Sequence, residues 1–101
     1  MEIEKTKKSR VGEVDFDNLG FGEVFSDHML SCEYSNGKWG EVRIMPFGSI
    51  SIMPTMCSLH YGQIIFEGIK AFYAGDRIQI FRPDSYFQRL NKSCTRLCIP
   101  Q

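Results

Sequence analysis

Leu30-Ser31-Cys32-Glu33-Tyr34-Ser35-Asn36-Gly37-Lys38-Trp39-Gly40-Glu41-Val42-Arg43-Ile44-Met45-Pro46-Phe47 carries the first clear structural pattern in this chain. Leu30, Cys32 and Tyr34 alternate with Ser31, Glu33 and Ser35, the period of two that marks a half-buried strand. Asn36-Gly37 follows, the dipeptide that best tolerates the two positive φ angles of a type I′ turn. Trp39 to Phe47 then reads as the returning strand, with Val42 and Ile44 set against Arg43. The stretch predicts a β-hairpin.

Toward the C-terminus, Pro46 and Pro54 bracket Ile50-Ser51-Ile52, expected to be a further short strand. His60 to Ile69 places Ile65, Phe66 and Ile69 at helical spacing and predicts a short helix. Ala71-Phe72-Tyr73 and Arg77 to Phe81 flank Ala74-Gly75-Asp76, a second hairpin in which Ile78 and Ile80 alternate with Arg77 and Gln79. Asp84 is placed to cap a helix with an apolar stripe of Phe87, Leu90, Cys94, Leu97 and Cys98. Gln88, Lys92 and Arg96 lie off that stripe, and Pro100 ends it. Toward the N-terminus, residues 1–18 are charged and poor in large apolar side chains, which predicts a mobile tail, with structure beginning at Leu19-Gly20-Phe21-Gly22. Strand pairs followed by helices predict an α+β domain over residues 19–101: an antiparallel sheet with helices packed on one face.

The chain has 101 residues, enough for one domain. A domain of this size buries roughly 60–65% of the surface its unfolded chain exposes. Lys plus Arg and Asp plus Glu are equal at 12 each, which argues against a nucleic-acid binder. Cysteines at 32, 57, 94 and 98 form no Cys-x-x-Cys, and His28 and His60 complete no zinc-ligand spacing, so no metal site is read. No apolar run approaches a membrane span, and the acidic Glu2 and Glu4 do not suit a mitochondrial transit peptide. The expectation is a soluble cytoplasmic protein with reduced thiols. The residues alone carry no Gly-rich phosphate loop, no nucleophile elbow and no paired His and Cys with a catalytic signature.

Taken together, several segments resemble branched-chain amino acid aminotransferases, of the class IV pyridoxal-phosphate family. They are Leu19-Gly20-Phe21-Gly22, Phe25-Ser26-Asp27-His28-Met29-Leu30 and Asn36-Gly37-Lys38-Trp39. Leu59-His60-Tyr61-Gly62-Gln63 and Phe66-Glu67-Gly68-Ile69-Lys70-Ala71-Phe72 continue the match. Phe81-Arg82-Pro83, Arg89-Leu90 and Arg96-Leu97-Cys98-Ile99-Pro100 complete it, in order and at family spacing over about residues 19–101.

The resemblance implies the N-terminal small domain of a fold-type IV pyridoxal-phosphate enzyme, with the large catalytic domain outside this sequence. It implies pyridoxal 5′-phosphate as cofactor and exchange of amino groups between leucine, isoleucine or valine and 2-oxoglutarate. The complete enzyme is expected to be a homo-oligomer that binds branched-chain amino acids and 2-oxo acids, with no nucleic-acid or membrane partner. Arg89 matches the arginine that holds the cofactor phosphate, a role suited to a planar, permanently charged guanidinium. Tyr61 and Phe66 match aromatic walls of the substrate side-chain pocket, Phe21 a further aromatic that closes it, and Lys70 a basic position near the substrate carboxylate. His60 reads as a structural histidine, Cys94 and Cys98 as core, Glu67 as a residue that orients backbone groups, and Trp39 as packing.

Two departures stand out. Tyr86 occupies the position, three residues before Arg89, where the family commonly has Asn or His. None of Lys5, Lys7, Lys8, Lys38, Lys70 and Lys92 matches the catalytic lysine that forms the Schiff base, so the chain alone is expected not to transaminate. Two other readings remain open: a short non-catalytic paralogue that binds a full-length aminotransferase, or another class IV enzyme such as a D-amino acid transaminase or aminodeoxychorismate lyase.

Overall fold

A computed structural model describes all residues, 1–101, and divides into two compact units, Met1–Ser51 and Ile52–Gln101. The first is built on the predicted hairpin. Its strands are β1 (Glu2–Ile3), β2 (His28–Ser31), β3 (Tyr34–Ser35), β4 (Lys38–Trp39) and β5 (Arg43–Pro46). Asn36 at φ 51° and Gly37 at φ 78° form the turn between β3 and β4, both in the left-handed region that a type I′ turn demands. Tyr34 faces Trp39 across the hairpin, with ring centroids 5.2 Å apart in an edge-on arrangement.

Each predicted long strand is broken once. Ser31 pairs with Arg43 and Tyr34 with Trp39, so residues 32–33 on one side face 40–42 on the other. Two residues opposing three is the count of a β-bulge. Gly40 sits in it, donating its N–H to Glu33 O at 2.7 Å; a Cβ there would come within 3.3 Å of that same oxygen. The bulge also changes which side chains are covered: Leu30 is exposed, while its neighbours Met29 and Ser31 are half-buried.

Residues 1–18, expected as a tail, supply an edge of this sheet. β1 pairs parallel to β5, with Glu2 N–H to Val42 O at 3.1 Å and Glu4 N–H to Ile44 O at 2.9 Å. The Thr6 N–H then donates to His28 Nε2, and the Arg10 backbone and guanidinium both donate to Asp27. A single 3₁₀ turn follows at Val11–Glu13. The attachment uses backbone hydrogen bonds and ion pairs, which the scarcity of apolar residues in this segment does not report.

In the second unit, α1 covers only Cys57–His60, and no strand forms at residues 50–52. The helix expected over His60–Ile69 does not form. Tyr61 caps α1 with its N–H on Cys57 O, and the next residue, Gly62, takes φ +63°, the left-handed turn that stops a helix. His60 Nε2 lies 2.6 Å from Pro54 O, in keeping with its reading as a structural residue. The second hairpin is as expected: β6 (Ala71–Tyr73) pairs antiparallel with β7 (Ile78–Ile80).

Last comes α2 (Pro83–Arg96). Asp84 makes no cap; Pro83 occupies the first turn, where a missing N–H costs nothing, and Arg82 is the N-cap at φ 49°. At the other end Ile99 N–H bonds to Cys94 O and Cys98 N–H to Thr95 O, a Schellman closure with Cys98 at φ 53°. The Gln63 side chain donates to Leu97 O at 2.9 Å and satisfies one further terminal carbonyl.

The α+β class holds, but a single sheet with helices on one face does not. The strands form three separate sheets, and β1–β5 is a parallel pair. Of the expected stripe on α2 only Cys94 is buried, at 6% exposure, and it is the one buried hydrophobic residue in the chain. No helix is long and apolar enough to cross a membrane.

Candidate functional site

Arg89 is positioned by α2, one turn after Tyr86. Its Nε–H donates to Glu67 Oε2 at 2.6 Å, and a terminal N–H donates to Glu67 Oε1. The two groups meet as a two-point fork, the geometry in which a guanidinium and a carboxylate bind best. Glu67 comes from the irregular segment after α1, 22 residues earlier, and Gly68 N–H donates to its Oε1 at 2.9 Å. The Glu67 side chain is only 9% exposed, that of Arg89 62%.

The Arg89 hydrogen bond, with help from Gly68 N–H, holds the Glu67 carboxyl below its usual range. The Arg89 guanidinium is pushed up in turn by that hydrogen bond. Tyr86 completes the surroundings, its ring centroid 5.3 Å from Arg89 Cζ, within cation–π reach.

Lys70 lies on the same unit, in the wall of an open concavity of about 720 Å³ that it shares with Phe72, Gln79, Ile80, Phe81 and Tyr86. Its Nζ is 5.2 Å from the centroid of the Phe72 ring. Tyr86 therefore lies against Arg89 and also lines the concavity of Lys70. Tyr61 and Phe66 stand 83% and 92% exposed and do not line that concavity. Phe21 belongs to the first unit, where it is fully exposed.

The structure thus brings Arg89 together with Glu67 and Tyr86, and places Tyr86 in the lining of the same concavity as Lys70. Of the three aromatics assigned to one substrate pocket, Phe21 belongs to the first unit and Tyr61 and Phe66 to the second. Glu67 does orient a backbone N–H, as read from sequence, but its closer partner is Arg89. Nothing local in the sequence announces that pairing; Tyr86 drew notice only as a departure from the family pattern.

In the first unit a second open concavity, of about 500 Å³, is lined by Val11, Val14, Phe16, Leu19, Phe25 and Asp27 among others. Its one carboxylate is already engaged: Asp27 accepts from Ser9 Oγ at 2.6 Å and from Arg10 N–H at 3.0 Å.

No family model matches the chain. Individual relatives match it end to end. A probable branched-chain-amino-acid aminotransferase of Staphylococcus aureus is 43% identical over 100% of this chain, and branched-chain-amino-acid aminotransferase 2 of Bacillus subtilis is likewise 43% identical over 100%. The mitochondrial branched-chain-amino-acid aminotransferase of Bos taurus is 39% identical over 99%. The chain spans 28% of the length of each bacterial protein and 26% of the bovine one. Along its whole length, the chain is similar to the N-terminal part of proteins named branched-chain-amino-acid aminotransferases, in bacterial and mammalian relatives alike.

Proposed function

We propose that this chain is the N-terminal, phosphate-holding part of an enzyme that transfers amino groups between leucine, isoleucine or valine and 2-oxoglutarate, using pyridoxal 5′-phosphate. The end-to-end similarity to aminotransferases carries the reading. The fold-type IV small domain and the cytoplasmic location belong to the same proposal.

The chemistry of Arg89 fits a phosphate. A guanidinium offers about five N–H donors. Glu67 takes two of them, Nε–H and one terminal N–H, which leaves an unengaged edge on a side chain 62% exposed. When bound, the cofactor supplies an electron sink for the carbanion left as the substrate loses its α-proton. This chain's residues bind and orient. Arg89 grips the phosphate, and Lys70 attracts the substrate carboxylate at the rim of its concavity. Tyr61, Phe66 and Phe21 supply apolar wall, and their present exposure leaves their faces free for a side chain and for the covering part of the enzyme. None of the chain's lysines is assigned the proton transfer, so catalysis requires a lysine from outside residues 1–101.

The exposed large apolar side chains in both units favour one second reading, a short paralogue that docks on a full-length aminotransferase. The test is formation of glutamate from leucine and 2-oxoglutarate by the chain extended to the length of its relatives. Transfer is expected there, and Arg89→Ala should release the cofactor about tenfold more readily, as loss of a charge-assisted contact does. No transfer by the extended protein would refute the reading, and co-purification of the short chain with a complete aminotransferase would favour the second.

A further inference from the structure

The surroundings of Arg89 contain more than a phosphate contact requires. An arginine with 62% of its side chain exposed ordinarily samples many rotamers, and an anion that binds it bears the entropy of fixing one. Here the guanidinium is held twice. Glu67 takes the Nε edge with both carboxylate oxygens, and Tyr86 covers one face at 5.3 Å.

Glu67 is itself fixed. Its side chain is 9% exposed, and Gly68 N–H donates to one of the oxygens that Arg89 uses. Such a carboxylate is a built support, unlike a flexible surface acid that leaves when a better anion arrives. Tyr86 also lines the concavity of Lys70.

We propose that Glu67 and Tyr86 are positioning residues for Arg89, acting as a two-sided clamp that aims its unengaged edge at a phosphate group. The proposal rests on the reading of Arg89 as the phosphate anchor. Two effects oppose each other in such a clamp. The Glu67 charge weakens the attraction of the pair for an anion, while the fixed orientation removes the cost of ordering the arginine. The pairing of a nearly buried, doubly held carboxylate with a largely exposed guanidinium makes orientation the larger effect. Tyr86 contributes without charge, by closing one face so that an anion meets the guanidinium in its plane.

The experiment uses the chain extended to the length of its relatives, with 15N-labelled arginine, titrated with pyridoxal 5′-phosphate and, separately, with pyridoxal, which has the ring without the phosphate. The unmodified protein should show a slowly exchanging Arg89 Nε–H resonance before any ligand is added. Glu67→Gln should abolish that resonance and weaken pyridoxal phosphate binding about tenfold, the low end of what loss of an orienting partner costs a ligand-holding group. Binding of pyridoxal should not change. Tyr86→Phe should behave as the unmodified protein, because the ring is retained, and Tyr86→Leu should lose part of the affinity.

Equal or tighter phosphate binding by Glu67→Gln, with Arg89→Ala still weakened, would overturn the clamp and leave the anchor standing. Unchanged binding by Arg89→Ala would overturn both. Absence of the protected Nε–H in the unmodified protein would overturn the clamp by itself, independent of any ligand.

Discussion

Isolating residues 1–101 from everything else is the perturbation with the largest expected effect. The unfolded chain of 11.6 kDa exposes about 16,800 Å², and the structure exposes 9232 Å², so folding buries about 45% of it. An ordinary domain of this mass exposes about 5,800 Å². Even two separate half-length domains would expose only about 7,000 Å² together, so the excess does not depend on how the two units are arranged. Because the denaturant slope follows the surface exposed on unfolding, its value should be about 70% of that of an ordinary domain of this length. With Cys94 as the single buried hydrophobic residue, the transition should also be broad. The assay is urea denaturation of the isolated chain, followed by circular dichroism, with binding of an apolar dye measured without denaturant. Strong dye binding and a shallow transition are expected, and both should disappear when the chain is extended to the length of its relatives. A sharp transition at the full-domain slope, with no dye bound, would refute the reasoning.

Two of the left-handed positions, Gly37 and Cys98, make a matched pair. Gly37→Ala should destabilise the first hairpin by about 1 kcal/mol, read as a lower melting temperature of the extended protein, because φ is +78° and an added Cβ meets nothing within 4 Å. Cys98→Gly should act in the opposite direction by about 1 kcal/mol, relieving a side chain held at φ 53° in the Schellman closure of α2; an unchanged or lower melting temperature would contradict it. Asp27 is held below the usual carboxylate range by Ser9 Oγ first and by Arg10 N–H next. A lowered folded-state value means this contribution is complete above the unfolded value, about pH 4, and fades as pH falls through the folded value. Protection of the Arg10 amide, relative to its intrinsic exchange rate, should therefore be lost only in acid, and Asp27→Asn should reduce it at neutral pH as well. Tyr61→Ala, in the extended enzyme, should change preference among leucine, isoleucine and valine more than it changes cofactor affinity, and the reverse pattern would move Tyr61 out of the substrate wall.

Local structure was legible where a few adjacent residues decide it. Asn36-Gly37 sets its turn by its own φ angles, the alternation around Gly75 sets the second hairpin, and the spacing from Phe87 to Leu97 sets α2. The misreadings share a cause. Ile65, Phe66 and Ile69 have helical spacing, yet the glycine at 62 ends α1 before that spacing can act. Asp84 suits an N-cap, but Pro83 fixes the helix start two residues earlier, with Arg82 as the N-cap. Residues 1–18 look unable to fold because they lack apolar side chains, while what attaches them is the open edge of β5, a partner some 40 residues distant.

The sequence by itself determined the likeness to branched-chain-amino-acid aminotransferases, through motifs in order along the chain, and with it the choice of Arg89 as the phosphate-binding candidate. It determined the turns and the long helix, since those depend on neighbours along the backbone. Only the tertiary structure decided what Arg89 touches. The Glu67 pairing spans 22 residues and depends on where the segment after α1 lies against α2, whereas the contact with Tyr86 is made within one turn of α2 itself. Tertiary structure also decided that Lys70 and Tyr86 share a concavity while Tyr61 and Phe66 face solvent. The physical reason is the range of the forces: φ preferences and side-chain periodicity act over a few residues, whereas a fork between a carboxylate and a guanidinium forms only where the whole chain has brought them within hydrogen-bond distance.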